Sequence, residues 1–196
     1  MEKLLKPMSG FLALLLALVL IGLSIYFMVN VNENSWMLFA AVISSIIAIF
    51  LLKGLMIIQP NHSRVLNFFG KYVGSVKDNG LFFINPFYGS HKLSLRSQNL
   101  QGQTLKVNDK MGNPIEIAAV IVWQVSDTYK AAFEVAVFEE YVKIQSEAAV
   151  RHLAVSLSYD NLEDENAPIT LRDGGEKVNK ILEDELHERL APAGII

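Results

Sequence analysis

The feature that most constrains this sequence is a run of 22 residues, 8–29, that contains no ionisable side chain. At about 1.5 Å per residue, a helix of that length spans about 33 Å, enough to cross a hydrocarbon core of about 30 Å. A second apolar run covers residues 36–58 and contains Lys53, whose long side chain can extend toward the lipid headgroups. The sequence therefore predicts two membrane spans, 8–29 and 36–58, in an N-terminal domain of residues 1–58.

Six residues, 30–35, separate the two runs, and this short connection predicts an antiparallel hairpin. Basic residues flank the hairpin on its outer sides and are absent from the connection: Lys3, Lys6, Lys53, Arg64, Lys71 and Lys77. The positive-inside rule places such flanks in the cytoplasm. We therefore expect a two-span protein of the cell membrane, with its N-terminus and soluble domain in the cytoplasm and the loop 30–35 outside.

A cleaved secretory signal is the competing interpretation of the first run. The run is longer than the apolar core of a typical signal peptide, and Ile25-Tyr26-Phe27-Met28 offers no cleavage site flanked by small residues. These two criteria favour a retained membrane span. The chain has no cysteine, which fits a reducing compartment but does not establish one.

The residues after the hairpin change from a strand pattern to a helix pattern near Ser126. Strand signals, separated by turn residues, cover residues 65–69, 81–84, 92–100, 104–107 and 115–125. Helix signals cover residues 127–135, 138–157 and a segment from the Thr170 region to Leu190. Strands followed by helices predict a membrane-anchored α+β protein, with an antiparallel sheet and packed helices in a domain of residues 59–196.

Charge divides the soluble part into two halves. Residues 59–110 carry seven basic and two acidic side chains, whereas residues 111–196 carry seven basic and sixteen acidic ones. Anionic lipid attracts basic segments by about 1 kcal/mol per nearby lysine or arginine, which favours a membrane-facing first half. Two ordinary solvated faces explain the same pattern equally well.

Five groups of short motifs follow one another in the soluble part. They are Ile58-Gln59-Pro60-Asn61; Phe69-Gly70-Lys71-Tyr72-Val73-Gly74; Gly80-Leu81 with Asn85-Pro86-Phe87; Val107-Asn108-Asp109-Lys110 with Gly112-Asn113-Pro114-Ile115; and Ile144-Gln145-Ser146 with Arg151-His152-Leu153. In this order and spacing the chain resembles the SPFH or Band 7 superfamily of stomatin-, prohibitin- and flotillin-like proteins. It is most similar to bacterial members that carry two N-terminal transmembrane segments.

The resemblance implies a non-enzymatic membrane scaffold that forms homo-oligomers and organises lateral membrane domains or membrane-protein partners, including membrane proteases in some branches. A dedicated regulatory or docking subunit of one membrane protease or transporter is the alternative. Family members usually continue past Leu190-Ala191-Pro192-Ala193-Gly194 into a further strand and a long coiled-coil helix. Because this sequence stops at Ile196, we expect it to be part of a longer chain.

Four residues are candidates for the membrane interface: Trp36, Lys53, Phe87 and Tyr88. Aromatic and long basic side chains favour the headgroup zone, and the hairpin holds the following domain close to it. For Phe82 and Ile84 a buried strand is the favoured interpretation, because a short apolar run between turns is usually part of the core. For Phe87 and Tyr88 a turn beside that core strand explains the sequence about equally well.

Small residues recur at every fourth position within both predicted spans. This spacing allows close approach of helix backbones, within the hairpin or between protomers. The candidate packing residues are Ala13, Ala17, Ala40, Ser44 and Ala48.

The opposite charges of the two halves suggest a contact between protomers. A basic face that includes Lys92 and Arg96 would meet an acidic face of the next protomer, and such head-to-tail contacts close into a ring when the rotation permits.

The sequence gives little basis for catalysis, for a cofactor or for a metal. The four histidines, His62, His91, His152 and His187, are far apart and show no ligand spacing. The acidic group of Asp160, Glu163, Asp164 and Glu165 matches no calcium-binding loop, so a solvated loop is the favoured interpretation. Neither a phosphate-binding glycine loop nor a nucleic-acid signature is present, and we expect no nucleic-acid partner.

Overall fold

The computed structural model describes residues 2–30, 36–160 and 169–196. They form two compact units, residues 2–94 and residues 95–196. Residues 31–35 of the predicted loop 30–35 lie outside the described residues, as do Glu163, Asp164 and Glu165 of the predicted acidic loop.

The first unit begins with a short strand, β1 (Met8–Ser9), and two helices, α1 (Gly10–Val29) and α2 (Trp36–Lys53). Both helices are long and apolar enough to cross a membrane. The second helix ends at Lys53, whereas the sequence predicted a span to residue 58. Gly54 interrupts the helix, and the residues that follow it form a strand.

Five more strands complete the first unit: β2 (Leu55–Ile58), β3 (His62–Phe68), β4 (Lys71–Val76), β5 (Gly80–Phe83) and β6 (Gly89–Ser94). They form two antiparallel three-stranded sheets, in the orders β1-β5-β2 and β4-β3-β6. The core of this unit consists of Met56, Ile58, Leu66 and Val76. Phe82 and Ile84 pack against this cluster, as the short apolar run predicts.

The second unit contains four strands in two antiparallel pairs. They are β7 (Gln98–Gln101), β8 (Leu105–Asn108), β9 (Pro114–Ile117) and β10 (Val120–Trp123), paired β7-β10 and β8-β9. The long strand predicted for residues 115–125 is thus two strands. The chain breaks at Ala118-Ala119, where the Ala119 carbonyl accepts a hydrogen bond from the Gly102 N–H at 2.9 Å. The strand predicted for residues 92–100 is likewise divided, between β6 and β7.

Three helices follow: α3 (Thr128–Phe133), α4 (Phe138–Ser156) and α5 (Gly175–Leu190), which ends in a 3-10 turn at Ala191–Ala193. The Asp127 carboxylate caps α3 by accepting the N–H groups of Tyr129 and Lys130 at 3.0 and 3.1 Å. The predicted cap at Thr170 lies in a turn before α5, where its hydroxyl accepts the Asp173 N–H at 3.2 Å. The predicted α+β fold class is confirmed.

Candidate functional site

The candidate site is an aromatic surface at the end of the first unit where α2 meets the sheet. The Phe87 side chain is 60% exposed, and its ring centroid lies 5.8 Å from that of Phe50 in the last turn of α2. Phe50 comes three residues before Lys53, the exposed lysine at the end of that helix. The loop that carries Phe87 therefore lies beside the last turn of a candidate membrane span.

The same surface continues from Phe87 to the turn between β3 and β4. The ring centroid of Tyr88, the next residue, lies 5.6 Å from that of Phe68, which in turn lies 4.7 Å from that of Phe69. Phe69 is 87% exposed. We call Phe68, Phe69, Phe87 and Tyr88 the aromatic surface; Tyr88 is its half-buried member and also packs against the core of the unit.

Strand register explains why these residues share one end of the unit. Asn67 of β3 pairs with Gly89 of β6, which brings the β3–β4 turn beside the loop that carries Phe87. Leu55 of β2 pairs with Phe83 of β5, which brings the start of that loop beside the end of α2. The register therefore places one end of this loop beside the end of α2 and its other end beside the Phe68–Phe69 turn.

The turn at Phe69 has an unusual backbone. Phe69 and Gly70 form the two-residue connection of a hairpin, with φ of +45° and +84°. Positive φ at both residues is the pattern of a type I′ turn, which normally takes asparagine, aspartate or glycine. A bulky aromatic residue there is strained, and an exposed, strained residue is a reason to suspect a function.

Two exposed lysines accompany the aromatic surface. Lys53 ends α2, and Lys71 begins β4 directly after the turn. Aromatic rings with neighbouring lysines suit the headgroup zone of a bilayer that contains anionic lipid. Trp36 begins α2 at the opposite end of the hairpin, with its ring centroid 6.1 Å from that of Phe27.

The two apolar helices meet through small side chains. Gly10, Ala13 and Ala17 of α1 are buried, as are Ala41, Ser44 and Ala48 of α2, whereas Ala40 is half-buried. The structure thus places Ala41 where the sequence pattern selected Ala40. Helical residues rotate by 100° each, so alternating steps of three and four stay on one stripe, whereas repeated steps of four drift away.

Serine side chains add hydrogen bonds between the two helices. The Ser24 hydroxyl lies 3.1 Å from the Ala41 carbonyl oxygen and 2.6 Å from the Ser45 hydroxyl. Hydroxyl bonds of this kind help helices to associate where water is absent. The hairpin is therefore held by close small-residue packing and by a polar contact.

The predicted inter-protomer residues lie in different units. Lys92 is exposed on β6, with its Nζ 3.3 Å from the Gln59 Oε1, and it stands opposite Arg64 of β3 in the strand register. The Arg64 guanidinium lies 3.3 Å from the Ser90 hydroxyl. Like charges that face each other across two strands are unfavourable, which leaves this face receptive to carboxylates. Arg96 is exposed in the second unit.

A buried carboxylate organises one turn of the second unit. Asp109 Oδ1 accepts the N–H groups of Met111 and Asn113 at 2.9 and 2.8 Å, and its Oδ2 accepts that of Tyr159 at 3.0 Å. The Tyr159 N–H has the largest effect in lowering the pKa of Asp109 below its ordinary value, against the opposing effect of burial, and Asn113 and Met111 add to the lowering. Asp109 therefore ties the β8–β9 turn to the chain that follows α4.

Two of the four histidines, His152 and His187, lie on helices of the second unit, whereas His62 and His91 lie on β3 and β6 of the first. A carboxylate oxygen of Glu185 on α5 lies 3.0 Å from Nδ1 of His152 on α4 and also accepts Nε–H of Arg189 at 2.9 Å. Burial opposes ionisation of Glu185, but the hydrogen bonds from His152 and Arg189 outweigh it and lower the pKa. His187 lies 3.9 Å from Glu183. Within residues 2–30, 36–160 and 169–196, no three histidine or acidic side chains are grouped as a metal site requires.

An open groove of about 600 Å³ lies between β10 and α5 in the second unit. Its walls are mainly apolar, with Val120, Val122, Leu182 and Leu186 among them, and the Ser97 hydroxyl beside it bonds to the Gln124 side chain at 3.2 Å. His187 of α5 also lines the groove, and the Ser97 hydroxyl is bonded to Gln124.

Sequence reasoning identified Phe87 and Tyr88 but missed Phe68 and Phe69. Two phenylalanines directly before Gly70 are the one available signal, since an aromatic pair at a turn is rarely needed for the turn itself. It also missed the role of Asp109, although the order Asp109, Gly112, Asn113 is typical of a turn that hydrogen-bonds a carboxylate.

The comparison with protein families agrees with this architecture. A family model described as the SPFH domain / Band 7 family matches residues 56–196, from β2 to the end of the sequence. No curated protein matches the chain. Members of this family are membrane-associated scaffold proteins that are generally non-enzymatic and generally oligomerise. The match covers most of the chain and follows two apolar helices, so this chain belongs to the SPFH domain / Band 7 family.

Proposed function

We propose that this protein is a non-enzymatic scaffold of the cell membrane, anchored by the α1–α2 hairpin and seated on the inner leaflet by the aromatic surface. The observation that supports this most directly is a pair of ring contact groups that meet at adjacent residues: Phe87 contacts Phe50 of α2, and Tyr88 contacts Phe68, which contacts the exposed Phe69. An aromatic tip that continues from a membrane span has no reason to face bulk water. Lipid is the environment that stabilises it.

A measurement of how deeply position 69 lies in the bilayer tests whether the aromatic surface enters the lipid interface. The chain has no cysteine, so Phe69→Cys gives a single site for an environment-sensitive fluorophore in vesicles of anionic lipid. We expect a blue-shifted emission that is quenched by lipids spin-labelled near the headgroup. Asn79→Cys is the matched control, because Asn79 is exposed in the β4–β5 turn at the other end of β4. Equal quenching at both positions would show that the aromatic surface does not enter the interface.

The proposed orientation places both ends of the hairpin in the cytoplasm. A cysteine at position 35, in the predicted outer loop, should react with a membrane-impermeant maleimide in intact cells. A cysteine at position 79 should react only after the cells are opened. The reverse pattern would place the domain outside.

We further propose that the scaffold assembles through its charges, with basic side chains such as Lys92 of the first unit or Arg96 of the second against acidic side chains of the next protomer. Crosslinking in native membranes should give a ladder beyond the dimer, and Lys92→Glu or Arg96→Glu should shorten it. A ladder that stops at the dimer would exclude a ring. Co-purification with one stoichiometric membrane protease or transporter would instead favour the alternative role, a dedicated docking subunit.

A further inference from the structure

We propose that residues 2–9 form a strap that fixes both membrane helices to the sheet of the first unit, so that hairpin and sheet tilt in the bilayer as one body. This inference rests on the proposed membrane anchoring and extends it from attachment to orientation. The strap is the part of the first unit that sequence reasoning assigned partly to the span and otherwise left without structure.

The order of the strands connects both membrane helices to β5. β1 and β2 lie on the two sides of β5, and Met8 and Leu55 both pair with the same residue, Phe83. α1 begins directly after β1, and Gly54 alone separates α2 from β2. Each membrane helix is therefore joined to β5 through a flanking strand.

The separation of β1 and β2 across β5 is similar to the separation of two packed helices. Neighbouring strands lie about 4.8 Å apart, so β1 and β2 are separated by about 9.6 Å across β5. Packed helices prefer axes about 8–10 Å apart. The sheet thus holds the helix ends at the separation that the small-residue packing of the hairpin requires.

Little space is left at the junction of β1 with α1 and at the junction of α2 with β2. A Cβ on Gly10 would lie 2.8 Å from the Leu81 side chain, and one on Gly54 would lie 2.6 Å from the Ile84 carbonyl oxygen. The Ile84 N–H also donates to the Gly54 carbonyl at 2.8 Å. Both helix ends therefore contact β5 or the residue that follows it closely, with no flexible linker between them.

Upstream of β1, the strap is also attached to β4 and to the residue that follows it. The Ser75 N–H donates to the Lys3 carbonyl at 2.8 Å, and the Leu5 N–H donates to the Ser75 carbonyl at 2.9 Å. The Leu5 side chain covers Gly74, where a Cβ would collide with it, and packs against the core of the unit. Glu2 and Lys77 form an ion pair at 2.8 Å. These contacts hold the strap on β4 as well as on β5.

The strap closes a loop of contacts through α1, α2, β2 and β5. Without it, α1 would keep its packing on α2, but Gly54 would be the one backbone connection between the hairpin and the β5-β2 pair, supported by side-chain contacts such as Phe50 with Phe87. We then expect the hairpin to tilt over a wider range of angles about Gly54. The strap is what fixes the angle between the spans and the sheet.

The distance between two spin labels tests the proposal on the full chain in lipid vesicles. Gly22→Cys places one label on α1, where an added Cβ meets nothing within 4 Å, and Asn79→Cys places the other in the β4–β5 turn. We expect one narrow distance distribution. Leu5→Gln should replace it with a broad one, whereas Leu4→Gln, on the exposed side of the same strap, should leave it narrow.

A second variant covers the case in which Leu5→Gln fails to fold. Glu2→Lys should broaden the distribution, and the exchange of both charges, Glu2→Lys with Lys77→Glu, should narrow it again. A distribution that stays narrow in Glu2→Lys and in folded Leu5→Gln would overturn the strap. Flotation of the same vesicles separates the two proposals, because protein that does not float would refute the membrane anchor itself.

Discussion

The helix pairs α1–α2 and α4–α5 are built in opposite ways. In α1–α2 the buried positions are glycine, alanine and serine, and large side chains such as Phe11, Leu15 and Phe39 point outward. In α4–α5 the buried positions include Val142, Leu153, Leu186 and Leu190, and the outward faces carry charges.

The difference is the one expected between a helix pair in lipid and a helix pair in water. Water drives large apolar side chains into the interface of α4–α5. Lipid offers no such drive, so α1–α2 associates through close backbone approach and the Ser24–Ser45 hydrogen bond. Charged pairs such as Lys180 with Asp184, 3.0 Å apart on α5, belong to a surface in water. Substitutions that are equivalent in chemistry should therefore have different effects in the two pairs.

The largest effect is expected in the core of the second unit. Leu153→Ala removes a side chain that is 2% exposed, and such truncations cost about 2–5 kcal/mol of unfolding free energy. Urea unfolding followed by the fluorescence of buried Trp123 measures it. Val155→Ala on the exposed side of α4 should change the value by less than about 0.5 kcal/mol. Equal effects would show that the α4 interface is not the core.

A charge in the middle of α2 should have the next largest effect. Ile46 is outward-facing and 49% exposed, and Ile46→Arg should cost about 2.5–3.5 kcal/mol of insertion free energy at the helix centre. The fraction of α2 that inserts into microsomal membranes measures this cost. Ile144→Arg, on a similarly exposed position of α4, should alter neither insertion nor folding. Normal insertion of Ile46→Arg would contradict a lipid-facing position.

A larger side chain inside the hairpin should have a moderate effect. Ala17 is fully buried between α1 and α2, and Ala17→Leu should cost about 1–3 kcal/mol through overpacking. Reversible unfolding in mixed micelles reports this loss. Val19→Leu, on the outward side of α1, is the control and should be neutral. If the two variants behave alike, the helices do not pack through Ala17.

The smallest expected effect is on the pH dependence of stability in the second unit, where the Asp109 carboxylate accepts hydrogen bonds from backbone N–H groups. Because the folded-state pKa of Asp109 is lowered from 3.8, its stabilising contribution is present above that value and is lost as the pH falls through the folded-state pKa. Urea midpoints between pH 6 and pH 3 should therefore fall less steeply in Asp109→Asn than in the wild type. Asp78→Asn, at an exposed turn, should follow the wild type; a slope of Asp109→Asn equal to that of the wild type would refute this assignment.

The predictions from sequence held where short-range pattern decides structure. The apolar runs gave the hairpin helices, and the period of residues 138–157 gave α4 almost to the residue. Residues 55–58 were assigned to the span because nothing local distinguishes them. What makes them a strand is pairing with Gly80–Phe83, about 25 residues away. Likewise, the break inside residues 115–125 depends on the contact between Ala119 and Gly102.

The candidate site was predictable only where short-range sequence pattern identifies its residues. Phe87 and Tyr88 stood out as aromatic residues after a turn, and the hairpin was the reason to predict that they lie near the membrane. Phe69 did not, because its exposure comes from a two-residue turn with positive φ, and phenylalanine is not a residue that signals such a turn. The choice between Ala40 and Ala41 required the helix partner as well as the sequence period.

Gly54, the single residue between the second helix and its strand, also limits how the gene for such a protein can change. One inserted residue at this joint would rotate the helix by about 100° relative to the sheet, and a shift of one residue in β2 would turn its apolar side chains to the opposite face. Both changes would disrupt the pairing of β2 with β5 and the contacts between the hairpin and the sheet. Insertions and deletions should therefore be tolerated at the turns 59–61 and 77–79 and be rare between residues 50 and 58, so that hairpin and sheet are inherited as one piece.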